Sequence, residues 1–174
     1  MTNTIDTIET LSPTISVQPG ISFKVLGIGL IAGTLDIADA LIFNQLRGIS
    51  PTAVLQYIAS GSIGKEAFLG GTSSAALGLS LHYLIAIGWT FVYYGISRRA
   101  TFVNHRPIVS GLSFGLLVYL AMNFMVLPAS AVRRTASAIT PAALINGVLA
   151  VLICIGLTTS VLVNKWLSVK NRND

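Results

Sequence analysis

Residues 21–43 read I-S-F-K-V-L-G-I-G-L-I-A-G-T-L-D-I-A-D-A-L-I-F, an apolar run with two aspartates inside it. A helix that crosses a bilayer needs about 20 mostly apolar residues at about 1.5 Å rise each, and this run has that length. Pro19-Gly20 opens it and the polar stretch from Asn44 to Arg47 closes it. Three further segments qualify as spans, at about 67–96, 107–127 and 141–166. The fourth opens on Thr140-Pro141, a side-chain cap followed by proline at the first helical position, and ends on Lys165-Trp166, a basic and aromatic pair suited to the membrane interface. The segment at about 51–61, opened by Ser50-Pro51, offers too few residues before Gly61 and Gly64 to span, so it is read as a short interfacial or re-entrant helix. Its Val54, Leu55 and Ile58 share one face, with Gln56 and Ser60 on the opposite one.

The predicted fold class is therefore all-α: an integral membrane bundle of four transmembrane helices plus one short helix. Residues 21–167 form this domain, between a polar N-terminal tail (1–20), expected to be mobile and without the look of a signal peptide, and a polar C-terminal tail (168–174). Composition agrees, since 53 % of the 174 residues are hydrophobic and only 10 % charged, against about a quarter charged in soluble domains. The net charge of +5 comes from short basic clusters between apolar runs, with no continuous basic face, so nucleic acid is not an expected partner. The single cysteine, Cys154, forms no intramolecular disulfide.

Four spans put both termini on one side together with the loop at 97–106. That side holds Lys24, Arg98, Arg99, Arg106, Lys165, Lys170 and Arg172, and the other holds Arg47, Lys65, Arg133 and Arg134. The bias predicts cytoplasmic termini.

Each span carries small or polar residues at three-to-four spacing, on one helical face. Gly29, Gly33, Asp36 and Asp39 mark the first; Ser74, Gly78 and His82 the second; Gly111, Gly115, Tyr119 and Asn123 the third; Asn146, Ala150, Cys154 and Thr158 the fourth. Glycines in such stripes are chiefly packing surfaces. The polar members are more informative. Counted from the outer helix ends, Asp39, Asn123 and Asn146 lie about 6 Å deep and Asp36 about 11 Å, with His82 below them. The expected site is a polar pocket formed by Asp36, Asp39, His82, Asn123 and Asn146 that binds a proton, a cation or a small basic ligand. Its rim would be Arg47, Lys65, Glu66, Arg133 and Arg134.

An aspartate at a helix centre raises the insertion free energy by about 2.5–3.5 kcal/mol, whereas the large apolar residues of this run lower it by about 3–6 kcal/mol in all. The first helix alone is near break-even and needs partners or water on its aspartate face. Two carboxyls one turn apart in poorly solvated surroundings also repel each other, so the pair is expected to share a proton. The competing reading makes these residues locks between helices, paired with a nearby Arg or Lys. No nucleophile elbow, phosphate loop or metal motif is present, so neither an enzyme nor a cofactor or bound metal is expected; a membrane-embedded metal-dependent enzyme, with Asp36, Asp39 and His82 as ligands, is the third alternative.

The order of features G-T-L-D-I-A-D-A, S-P-T-A-V-L-Q-Y-I-A-S-G, G-G-T-S-S-A-A-L-G-L-S-L-H-Y and M-N-F-M-V-L-P-A-S-A resembles a family of small uncharacterised bacterial multi-pass inner-membrane proteins, over about residues 25–130. The second of the four spans, around His82, is distantly similar to the YagU-like inner-membrane proteins. The resemblance implies a bacterial inner membrane and adds no catalytic residue. The functions expected are thus a small transporter or binding protein, with the lipid bilayer and a second copy as partners, or an accessory subunit of a larger membrane complex.

Overall fold

The computed structural model describes residues 19–131 and 140–167, all of them in helices or short turns and none in a strand. Helix α1 is Pro19–Leu46, α2 is Pro51–Ile63, α3 is Gly71–Arg99 and α4 is Thr101–His105. Helices α5, Pro107–Ala129, and α6, Pro141–Leu167, complete the order. Four of these, α1, α3, α5 and α6, are long and apolar enough to cross a membrane. The chain thus has the make-up of a multi-pass membrane protein. The expected tails and the rim residues Arg133 and Arg134 lie outside the described residues, apart from Pro19 and Gly20, which begin α1.

Local chemistry sets the helix ends. Ser50 and Thr140 each accept a hydrogen bond from the backbone N–H three residues on, at 3.3 Å, with proline at the first turn. α1 stops where Gly48, at φ 81°, lets its own N–H and that of Ile49 turn back to the carbonyls of Gln45 and Asn44. α3 starts later than the apolar pattern suggests. Residues Gly64–Phe68 form a 3-10 turn, and Gly71 sits at φ 55°, a backbone state that breaks the run before the helix begins.

The spans run antiparallel to their neighbours. Gly29 and Gly33 of α1 face Ile87 and Ala86 of α3, while Gly111 and Gly115 of α5 face Ser160 and Leu152 of α6. Lys24 donates to the carbonyl of Trp166 at 3.5 Å, which ties the start of α1 to the end of α6. The buried core follows these crossings through Ile28, Ala32, Ala86, Tyr93, Phe114, Val118 and Ile155. Large apolar side chains such as Phe23, Leu84, Ile108 and Phe124 are exposed around the outside, as a lipid-facing surface requires.

At the end of the bundle nearer the termini a buried polar cluster joins three spans. The Tyr93 hydroxyl lies 2.6 Å from that of Ser160 and 3.1 Å from that of Ser110, and Ser160 also donates to the Pro107 carbonyl at 2.6 Å. α2 packs its polar face inward. Gln56 is buried and donates to the Gly71 carbonyl at 3.1 Å, and Gly78 of α3 lets the Leu55 carbonyl approach so closely that a Cβ there would overlap it.

Gly78→Ala should therefore lower stability by about 1–3 kcal/mol, since α2 has to move off α3. Gly88→Ala, with nothing within 4 Å of the added carbon, should be neutral or stabilising by up to about 1 kcal/mol. Thermal unfolding of both variants in detergent checks the pair.

Candidate functional site

Asp36, Asp39 and Gly33 share one face of α1, but the structure gives the two aspartates different surroundings. Asp39 Oδ2 accepts a hydrogen bond of 2.8 Å from Asn146 Nδ2 on α6, which binds these two helices together near the ends away from the termini. Asp36, one turn deeper, lies on the wall of a cavity of about 360 Å³. Among the described residues no lysine or arginine forms an ion pair with either carboxylate.

His82, near the middle of α3, lines the same cavity. Its Nε2 is 2.8 Å from the Gly33 carbonyl oxygen, and a carbonyl can only accept, so Nε2 carries the hydrogen. The contact needs Gly33, because a Cβ at that position would lie 3.0 Å from the Ala86 Cβ and 3.2 Å from the Tyr83 ring. One residue away, Thr34 gives its hydroxyl hydrogen to the Leu30 carbonyl at 2.8 Å, so the Tyr83 hydroxyl, 2.9 Å from Thr34 Oγ1, is the donor of that pair. Three polar side chains thus fix α3 against α1 beside the cavity.

The rest of the cavity wall is mostly apolar and aromatic. Ile85 and Trp89 come from α3, Met122 and Val126 from α5, Val151 and Ile155 from α6, and Tyr57 and Ile58 from α2. α2 therefore closes one side of the cavity. Both α5 and α6 contribute through π-helical segments, Met122–Val126 and Val151–Leu157. In α5 the cause is in the sequence, because Pro128 has no N–H to give to the carbonyl four residues back. The turn before it widens, and the Leu127 N–H bonds to the Met122 carbonyl instead.

Of the five residues expected to form one polar pocket, the structure brings Asp36 and His82 to the cavity wall and pairs Asp39 with Asn146. Asn123 donates within its own helix to the Tyr119 carbonyl at 2.8 Å. Arg47 is exposed with its guanidinium 5.5 Å from the centre of the Phe43 ring, and Lys65 and Glu66 are exposed in the 3-10 turn. Pattern reading missed Tyr57 and Trp89, whose aromatic rings read only as apolar. Among the described residues no three His, Cys, Asp or Glu side chains converge as a metal-holding group. No protein-family model, no curated protein and no solved structure matches the chain.

The Asp39–Asn146 bond yields a direct prediction. A double-mutant cycle with Asp39→Leu and Asn146→Leu should give a coupling of about 0.6–1.7 kcal/mol, the range of interhelical hydrogen bonds in membranes. The matching cycle of Asp36→Leu with Asn146→Leu should give none. Unfolding in mixed micelles measures both.

Proposed function

We propose that the protein binds a small amphipathic cation, such as a lipophilic amine, in the cavity between α1, α2, α3, α5 and α6. The observation that carries this reading is one carboxylate, Asp36, on the wall of an otherwise largely apolar and aromatic cavity. A carboxylate in such a place raises the free energy of the fold unless a partner arrives, and a cation with an apolar body is the complementary partner. Tyr57 and Trp89 add π faces for the cationic head, and Ile85 and Met122 take up the apolar part. His82, held by Gly33, lines the same cavity as Asp36 and helps to shape it.

The cavity lies inside the membrane-crossing part of the chain, so handing a bound cation from one side to the other, as a small transporter, is the activity it would serve. We place the protein in a bacterial inner membrane with both termini in the cytoplasm. Lys24, Arg98, Arg99, Arg106 and Lys165 at the terminal side, against Arg47 and Lys65 opposite, support that orientation. A homodimer is the arrangement we would expect of a transporter with so few spans. The accessory-subunit reading draws on one specific observation, the Asp39–Asn146 bond, which shows that at least one aspartate acts as a tie between helices.

The chain has two tryptophans, so Trp166→Phe leaves Trp89 as the sole fluorophore, in the cavity wall. In that background benzyltrimethylammonium should change the emission and bind at least about tenfold more tightly than its uncharged isostere neopentylbenzene. Asp36→Asn should remove the difference. Because a proton and a permanent cation compete for one carboxylate, binding should weaken as pH falls. Equal binding of the two probes by the Asp36 protein would refute recognition of charge.

A further inference from the structure

At the end of the bundle nearer the termini, a second cavity of about 630 Å³ lies between α3 and α5 beneath the short helix α4. Its α5 wall runs through Val109, Ser113 and Leu117, which recur at helical spacing and share one face, and Arg106 lines it from the residue just before the helix. From Val109 to Leu117 this face descends about 12 Å, most of the depth of one leaflet's hydrocarbon. Phe102 from α4 and Ile96 from α3 supply the opposite wall. Phe102, Val109 and Leu117 are 73 %, 59 % and 49 % exposed, so the groove is open along its side. It is a slot with apolar walls, a guanidinium and the His105 ring at the interface end, and a long side open to lipid.

We propose that this groove binds one anionic phospholipid, its phosphate against Arg106 and one acyl chain along Val109 and Leu117. Charge selects the headgroup class. Lys24, Arg98, Arg99, Arg106 and Lys165 all lie at this end, whereas the acids among the described residues, Asp36, Asp39 and Glu66, lie toward the other. A basic residue at the mouth of an apolar groove between spans is what an anionic headgroup on a lipid tail requires. The Tyr93–Ser110–Ser160 cluster fixes the groove's floor before any lipid arrives, because Tyr93 and Ser110 are both wall residues and hydrogen-bonded partners. The groove is thus preformed, which lowers the ordering penalty of binding. This site is separate from the Asp36 cavity and does not depend on what that cavity binds.

Native mass spectrometry of the detergent-purified protein, offered equal amounts of dioleoyl phosphatidylglycerol and dioleoyl phosphatidylcholine, tests the proposal. One phosphatidylglycerol should be retained in preference, and Arg106→Gln should weaken it by about fivefold, the share of one basic residue near an anionic lipid. Arg99→Gln, on the same face but outside the groove, should change retention little. Val109→Trp fills the slot and should displace the lipid, whereas Ile108→Trp, equally lipid-facing and outside it, should not. Circular dichroism confirms that each variant is folded. Equal retention of the two lipids, or equal loss from Arg99→Gln and Arg106→Gln, would overturn the site. Displacement of the lipid by millimolar inorganic phosphate would do so too, by showing that the groove holds a free anion and the acyl wall is incidental.

Discussion

Spanning helices have no hydrophobic drive toward one another in hydrocarbon, so the bundle depends on how closely their backbones can approach. Among the four spans the tightest approach is between α5 and α6. A Cβ on Gly115 would lie 2.7 Å from the Leu152 Cα, and one on Gly156 would overlap the Gly111 carbonyl oxygen. Gly29 and Gly33 do the same between α1 and α3, with Ile87 and Ala86 as neighbours. Where the glycines stop, the helices separate. The C-terminal part of α5 presents Met122, Val126 and Leu127 rather than glycine, and there the Asp36 cavity opens. Between α5 and α6, one constraint therefore accounts for both the close packing toward the termini and the space beyond it. The contact between His82 and the Gly33 carbonyl follows from it as well, since only a helix pair this close lets an imidazole reach the neighbouring backbone.

The two aspartates show how position within one stripe separates structural from chemical use. Each raises the free energy of insertion by a few kcal/mol if left alone in the bilayer. Asp39 is matched by an amide donor at equal depth on α6, which satisfies one carboxylate oxygen and orients the helix pair. Asp36, three residues earlier, meets the cavity instead. A bundle that needed only to be held together would have a donor at both positions or an apolar residue at the second. Asp36 thus has no hydrogen-bond donor among the described residues and shares the cavity wall with the His82 ring, a local departure from simple helix packing.

Much of the fold was legible because it rests on local signals. Apolar length marked the four spans, and Ser50-Pro51 and Thr140-Pro141 marked two helix starts through caps that the structure forms. A depth count put Asp39, Asn123 and Asn146 at one level, because in a membrane depth is a shared coordinate, but it could not tell which asparagine meets the carboxylate. Other features depend on which face of a helix meets which neighbour. Gly88 and Gly156 look alike as glycines in apolar runs, yet one has open space beside it and the other has a backbone. Gly156 lies off the stripe of Asn146, Ala150, Cys154 and Thr158 that marked the inward face of the fourth span. The π-helical segment Val151–Leu157 intervenes and changes which residues point inward, and Ile155 and Gly156 are both buried. Hydropathy does not report backbone winding, so neither π segment could be read from it.

The two cavities meet at an aromatic partition. Trp89 lines the Asp36 cavity, Tyr93 lines the groove by Arg106, and Phe114 packs edge-on against both, with ring centres 6.2 Å and 4.9 Å away. Phe114 is buried and also forms part of the groove wall, so neither space can widen toward the other without moving its ring. The Tyr93 hydroxyl is held by Ser110 and Ser160, which limits how far this side of the stack can tilt. On the other side Trp89 has more freedom, because its neighbours across the cavity are the flexible side chain of Met122 and the widened turns of α5 and α6. Of the two spaces, the one lined by Asp36 therefore has the less constrained wall.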